Sequence, residues 1–153
     1  MSQELTERVR KLSQQYAFDS IQMHEAIGRQ AGLSGTDHKY LGFIMQKGQM
    51  TAGELSQLTG LTTGAVTGLI DRFEQKDLVR RRFGEGDRRK VIVEANNEKV
   101  MAVFEPLYKE FRQRSGELIA SFSEAELKVI ESYFSKAIEV MNDTTSKFNT
   151  KQQ

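Results

Sequence analysis

Residues 50–95, MTAGELSQLTGLTTGAVTGLIDRFEQKDLVRRRFGEGDRRKVIVEA, decide the architecture. Thr51-Ala52-Gly53-Glu54 has the spacing of a capping box, in which a threonine hydroxyl and a glutamate carboxylate each accept from the other's backbone N–H. The helix it opens is short, 51–58, with Leu55 and Leu58 expected inward and Ser56 small where two helices approach. Gly60 follows where the turn needs a residue tolerant of positive φ. Leu61 plugs the corner and Thr62 caps a second helix over 62–75. Val66, Leu69, Ile70 and Phe73 give that helix a buried face. Lys76 and Asp77 end it. Residues 78–83 and 90–95 then read as strands, joined by the tip Gly84-Glu85-Gly86-Asp87-Arg88-Arg89.

The outward face of helix 62–75 carries Thr62, Thr63, Gly64, Ala65, Thr67 and Gly68, short side chains that let a backbone come close to a rigid surface. Gly64 and Gly68 each cost about 1 kcal/mol of helix propensity relative to alanine. Two such losses on an exposed face point to close approach, although small residues also serve helix packing. Helix–turn–helix followed by a basic hairpin is the winged helix-turn-helix pattern. Its second helix enters the major groove of DNA, where free N-terminal amides meet phosphate and threonine meets base edges or a thymine methyl. An arginine-bearing hairpin suits the minor groove, whose narrow stretches hold enhanced negative potential. The tip is no nucleotide-cradling loop, for it lacks a following Gly-Lys-Ser/Thr and opens no helix.

Charge supports the same division of labour. The net charge is only +1, but residues 80–90 hold six basic side chains against two acidic, and 98–143 hold nine acidic against six basic. A basic tip on an acidic body steers one end of the molecule toward phosphate.

Outside this region the chain is helical. In 4–31, Leu5, Val9, Leu12, Tyr16, Met23 and Ile27 form one apolar stripe, on a helix of about 42 Å that outruns a small core. Gly32 and Gly35 break it, Thr36 with Asp37 is expected to cap the next helix, and that helix, about 37–47, carries Tyr40 and Phe43 as core. After Asn96, Val100, Phe104, Leu107, Phe111 and Leu118 mark a second stripe, interrupted by Pro106, the only proline. Ser123-Glu124-Ala125-Glu126 is another capping box, opening a helix with Leu127, Ile130, Phe134, Ala137, Met141 and Phe148 inward. The fold class is therefore mostly α with a small β-hairpin wing. The expected organisation is a dimerising N-terminal helix at 1–35, a winged helix-turn-helix at 36–96, dimerising helices at 97–148 and a frayed tail at 149–153.

Residues 36–100 resemble the MarR family of winged-helix transcription regulators, and the flanking helices extend the likeness over nearly the whole chain. The run Thr62-Thr63-Gly64-Ala65-Val66-Thr67 with Leu69-Ile70-Asp71-Arg72-Phe73-Glu74 is similar to the family's recognition helix, and Gly86-Asp87-Arg88-Arg89 to its wing signature. The resemblance implies that Arg89, flanked by Arg88 and Lys90, enters the minor groove, and that Asp87 orients the wing by pairing with arginines, Arg72 among them. Thr62, Thr63, Gly64, Ala65, Thr67 and Arg72 form the major-groove set. Gly68 stands where the family often has arginine, which obscures the base readout, and Asn96 replaces the usual capping threonine. The resemblance further implies a homodimer on an inverted-repeat operator in double-stranded DNA, a repressor released by a small, often aromatic or phenolic effector. Met23, His24, Ile27, His38 and Tyr40 are the candidate pocket residues.

Other classes find little support. No cysteine is present, so thiol nucleophiles, thiol switches and cysteine metal sites are excluded. His24 and His38 with Glu25 offer a metal alternative of low specificity; no metal, cofactor or catalytic constellation is expected, and the chain does not read as an enzyme. No apolar run spans a membrane and 1–10 is too polar for a signal peptide, so a cytoplasmic protein is expected. The rival reading is a winged-helix protein-interaction module that does not bind DNA.

Overall fold

Capping side chains set the ends of most helices in the computed structural model, which describes residues 2–150, the side chains of Arg88 and Thr150 apart. In chain order the elements are α1 (Ser2–Gln30), α2 (Gly35–Lys47), β1 (Gln49–Thr51), α3 (Ala52–Thr59), α4 (Thr63–Gln75), β2 (Val79–Gly84), β3 (Asp87–Ala95), α5 (Asn97–Ala120) and α6 (Glu124–Thr150). Before α3 the Thr51 hydroxyl accepts from the Glu54 amide at 3.0 Å, and the Glu54 carboxylate accepts from the Thr51 amide at 3.2 Å. Gly60 closes α3 in the left-handed region, φ 72°, and the Thr62 hydroxyl caps α4 by accepting from the Ala65 amide. At α2 the cap is two positions earlier than expected. Ser34, rather than Thr36 or Asp37, accepts from the Asp37 amide. Thr36 and Asp37 occupy the first turn instead, where a carboxylate is favoured by the helix dipole.

The sheet is larger than a hairpin. Its three antiparallel strands run in the order β1-β3-β2, with Gln49↔Glu94, Met50↔Val93 and Thr51↔Ile92 on one side of β3. A three-residue strand is too short to show alternation in sequence, and β1 is held by its partner rather than by its own pattern. On the other side β2 pairs from Val79↔Ala95 to Gly84↔Asp87, with an irregularity at Phe83 and Gly84. Residues 87–89 therefore belong to β3 rather than to the tip, and the turn shrinks to Glu85 and Gly86.

Two compact units divide the chain, Met1–Tyr108 and Lys109–Gln153. The first gathers the helix-turn-helix with the C-terminal part of α1 and the first turns of α5. Leu41, Ile44, Leu55, Leu69, Phe73 and Val93 are buried at its centre, joined by Val100 and Phe104 from α5. Leu58 is a correction: it is 48% exposed where Leu55 is fully covered, because α3 is short and presents only one position squarely to the core. The turn from α4 into β2 puts Asp77 at φ 57°. Its carbonyl accepts from the Asn96 side-chain amide at 2.9 Å, while the Asn96 oxygen caps α5 through the Lys99 amide. One amide side chain thus donates and accepts at the same junction.

Along α1 the stripe changes character. Met23 and Ile27 are half-buried, whereas Leu5, Val9, Leu12 and Tyr16 are exposed. In the unit Lys109–Gln153 no described residue is buried; the residues expected inward include Phe111, Leu118, Phe134, Met141 and Phe148, all exposed, with Leu127, Ile130 and Ala137 only half-covered. The capping box at Ser123 forms, and its amide and hydroxyl hold the Glu126 carboxyl below its ordinary value. Helix α6 continues to Thr150, and positions 151–153 of the expected frayed tail lie outside the described residues. Among the described residues no helix is long and apolar enough to cross a membrane.

These burials make a direct contrast. Leu55→Ala should lower unfolding free energy by about 2–5 kcal/mol in urea titration, whereas Leu58→Ala should stay within about 0.5 kcal/mol.

Candidate nucleic-acid interface

On α4 the apolar positions Val66, Leu69, Ile70 and Phe73 take the core side, which forces Thr63, Gly64, Ala65 and Thr67 outward; all four are exposed, as is the cap Thr62. The Thr67 hydroxyl donates to the Thr63 carbonyl at 3.0 Å, a bond that uses its hydrogen and leaves its oxygen able to accept. The two glycines of this face answer no packing need in the chain. A Cβ built on Gly64 would meet nothing within 4 Å, and one on Gly68 would meet only the Arg72 guanidinium at an ordinary 3.5 Å. The reading of these glycines as helix-packing residues therefore fails for Gly64 within one chain. What they offer is a backbone that a flat surface can reach.

The wing is tied to this helix by a residue that sequence reasoning passed over. Arg81 on β2 donates to Asp71 at 2.6 Å and pairs with Glu74, both on one edge of α4, and reaches the Thr67 carbonyl at 3.4 Å. Its side chain is 22% exposed. Burial disfavours the Arg81 charge, yet the hydrogen bonds to Asp71 and Glu74 and their charges outweigh that and hold its pKa above the ordinary value. The signal was present in outline: Asp71 and Glu74 are three apart on one face, and β2 carries three successive arginines. Which arginine meets them is a matter of pleat. Cross-strand pairing puts Val79, Arg81 and Phe83 on the α4 side with Ala95, Val93 and Val91. Toward the tip the pairing is offset, Phe83↔Val91 being followed by Gly84↔Asp87, and positions 88–90 of β3 lie in that offset. Arg82 faces away and pairs with Glu94 at 2.7 Å. Phe83, 62% exposed, stands on the α4 side beyond Arg81, an aromatic that no motif flagged.

Two expected roles change. Arg72 does not pair with Asp87. Its guanidinium donates two bonds to Asp37 in the first turn of α2, at 2.8 and 3.0 Å, and these hold its pKa above the ordinary value. Asp37 is 7% exposed, and a carboxylate so covered needs a partner with matching geometry, which a guanidinium fork supplies. Asp87 works within the wing, accepting from the Arg89 amide at 2.9 Å and so shaping the strand that carries Arg89. Arg89 and Lys90 are exposed, and the Arg88 side chain lies outside those described.

The candidate pocket residues separate into two groups. His24 and His38 come together, one on α1 and one on α2, both within hydrogen-bond reach of the Tyr108 hydroxyl on α5. Tyr108 was missed because its partners lie far away in sequence. Ile27 and Tyr40 pack against the core, Tyr40 with Phe43 at 6.4 Å between ring centroids, and Met23 is half-buried. An open groove of about 390 Å³ lies elsewhere, lined by Ala31, Lys76, Leu78, Lys99 and Val103 among others, and takes in none of the five. Among the described residues no group of three or more histidine or acidic side chains is arranged to hold a metal.

Comparison with known proteins agrees with this geometry. Residues 31–90 match the sequence profile of the MarR family. The HTH-type transcriptional regulator YcgE of Bacillus subtilis is 35% identical over 127 residues, 81% of this chain and 80% of that protein. A MarR family protein from Bacillus stearothermophilus shares the fold with a TM-score of 0.70 at 23% identity, over 93% of this chain and 99% of its own. FabT of Streptococcus pneumoniae, solved in complex with DNA, also gives 0.70, at 20% identity over 91% and 99%.

The Arg81 clamp is open to test. Arg81→Met should cost about 1–3 kcal/mol in chemical denaturation, since it strands two partly covered carboxylates. The amides of β2 should also exchange hydrogen faster, while those of α2 should not change.

Proposed function

Because the chain belongs to the MarR family of winged-helix transcription regulators, we propose that it acts as a homodimer on an inverted-repeat operator in double-stranded DNA. The observation that carries this reading is the bare backbone face at Gly64 and Gly68, beside a wing that Arg81 fastens to the same helix. In this reading Thr62, Thr63, Gly64, Ala65 and Thr67 enter the major groove, and Arg89, with Arg88 and Lys90, follows the minor groove. Arg72 takes part as a strut: its bond to Asp37 fixes the tilt of α4 on α2. Residues 36–96 are the reading head. The uncovered stripe of α1 and the second unit, which buries none of its described residues, support assigning 1–35 and 97–148 to the partner copy. Two heads then address half-sites about 34 Å apart. That a fold neighbour has been solved with DNA is consistent with this use of the fold.

The same reading extends to regulation. The protein acts as a repressor, and a small aromatic or phenolic effector seated by α1, α2 and α5 releases it from the DNA. Met23, His24, Ile27, His38 and Tyr40 were the sequence candidates; His24 and His38, joined by Tyr108, supply the polar groups there. Such a molecule shifts DNA affinity only by its difference in affinity for the two dimer states.

Selection of bound fragments from a genomic library, followed by titration of the winning duplex, tests the reading. Wild type should bind in the nanomolar range and weaken steeply with salt. Arg89→Ala should lose about 1–3 kcal/mol of binding and reduce the salt slope by about one, with its oligomeric state unchanged. Equal, weak binding of every duplex by both proteins would favour the protein-interaction module instead. Gly64→Ala and Gly68→Ala carry a prediction of opposite signs. Each should stabilise the fold by up to about 1 kcal/mol and yet weaken duplex binding, because a methyl intrudes where the groove must come close.

A further inference from the structure

The 153 residues include two histidines, and both meet one phenol oxygen. The Tyr108 hydroxyl lies 2.5 Å from His24 Nδ1 and 2.9 Å from His38 Nε2. The imidazole centroids are 5.8 Å apart, and His38 stacks obliquely on Phe104 at 4.9 Å. Space is made for this meeting: a Cβ on Gly28 of α1 would fall 2.8 Å from the His38 Cβ. Three helices are thus joined through a single hydroxyl.

Proton counting shows what such a junction does. A tyrosine hydroxyl has one hydrogen, so it donates to one imidazole and accepts from an N–H of the other. A first added proton goes to the outward nitrogen of the ring that already donates, and both bonds survive. The second must land on the nitrogen that accepts from Tyr108. Two N–H groups then face one oxygen, the hydroxyl hydrogen is turned out, and two imidazolium charges sit within 6 Å. Burial, and then the charge of His38, already lower the pKa of His24 below its ordinary 6.5. Charged groups on the packed elements are Glu25 on α1, its chain lying over Gly35; Asp37 on α2, bound by Arg72, with Lys39 beyond it; and Glu105 and Arg112 on α5, about one turn either side of Tyr108. A depressed histidine pKa means that the open form takes up the proton first. The stabilisation is complete above about pH 6.5 and is lost as pH falls below it.

His38 directly follows Asp37, whose carboxylate holds Arg72 of the recognition helix. We propose that His24, Tyr108 and His38 form a proton-operated clamp that holds α1 and α5 against α2, and that its second protonation releases the clamp and lowers DNA affinity in mildly acidic solution. The last step rests on the DNA-binding reading; the clamp itself does not. With carboxylates ordinarily near 4 and lysines above 10, histidine is the side-chain type whose ordinary value lies between pH 5.5 and 7.5, and the sequence has two.

The test uses the full chain, with His24→Gln/His38→Gln and Tyr108→Phe as variants. Ring signals of the two histidines, followed by NMR from pH 5 to 8, should titrate in two coupled steps, and Tyr108→Phe should narrow the separation between them, leaving only the charge–charge part. Thermal midpoints of wild type should fall between pH 7.5 and 5.5 more than those of the double variant. Affinity of wild type for the duplex selected above, at constant salt, should drop about tenfold over the same range, a coupling of ordinary size between two sites, and the double variant should give a flat profile. Equal pH slopes in wild type and double variant, or independent titration near 6.5 untouched by Tyr108→Phe, would overturn the clamp. If no duplex binds at any pH the DNA reading falls, and the NMR and thermal profiles still decide the clamp.

Discussion

The geometry of this protein turns on how α4 is held from both flanks. Arg81 reaches across from β2 to Asp71 and Glu74, and Arg72 reaches down to Asp37 on α2. Apolar packing of Val66, Leu69, Ile70 and Phe73 fixes which side of the helix is buried, but packing is tolerant of sliding and tilt. Guanidinium–carboxylate pairs are not, because two directed bonds each define an orientation. Their net worth in stability is modest once desolvation is counted. Their value is positional: they hold the helix that presents Gly64 and Gly68 at a set angle to the strand that leads to Arg89.

A second constraint is apolar surface with nothing over it. Leu5, Val9, Leu12 and Tyr16 continue the stripe whose far end, at Ile27, packs on the core. The unit from Lys109 onward buries none of its described residues, yet it carries Leu118, Ile119, Val129, Val140 and Met141. Helices of this kind gain little stability from propensity alone and depend on a face being covered. A twofold partner that covers them would make folding of these helices and assembly one event. Within the first unit, α1 and the start of α5 meet α2 at the histidine–tyrosine junction.

Most of what depends on neighbours within about five residues was legible beforehand. The capping boxes at Thr51 and Ser123, the left-handed Gly60, the cap at Thr62 and the buried face of α4 all follow from local hydrogen bonding and helical period. Departures came where a local pattern allowed more than one answer. Ser34, Thr36 and Asp37 are all competent caps, and Ser34 was chosen by where α1 ends. Leu58 matches the inward period of α3 but lies at the end of a helix of eight residues. In the wing, Arg80, Arg81 and Arg82 are alike in sequence, and only strand register tells them apart.

By itself, then, the sequence determined the order of elements, the turn chemistry, the short-sided face of α4 and the positive charge of the wing, because each is set by residues close together in the chain. The tertiary structure decided the partners: β1 on β3, Arg81 on Asp71 and Glu74, Arg72 on Asp37 rather than Asp87, and Tyr108 between His24 and His38. Those pairs lie from 7 to 84 positions apart. A charged or polar side chain has many possible partners at such distances. The choice falls to whichever one core packing brings within about 3 Å at the right angle.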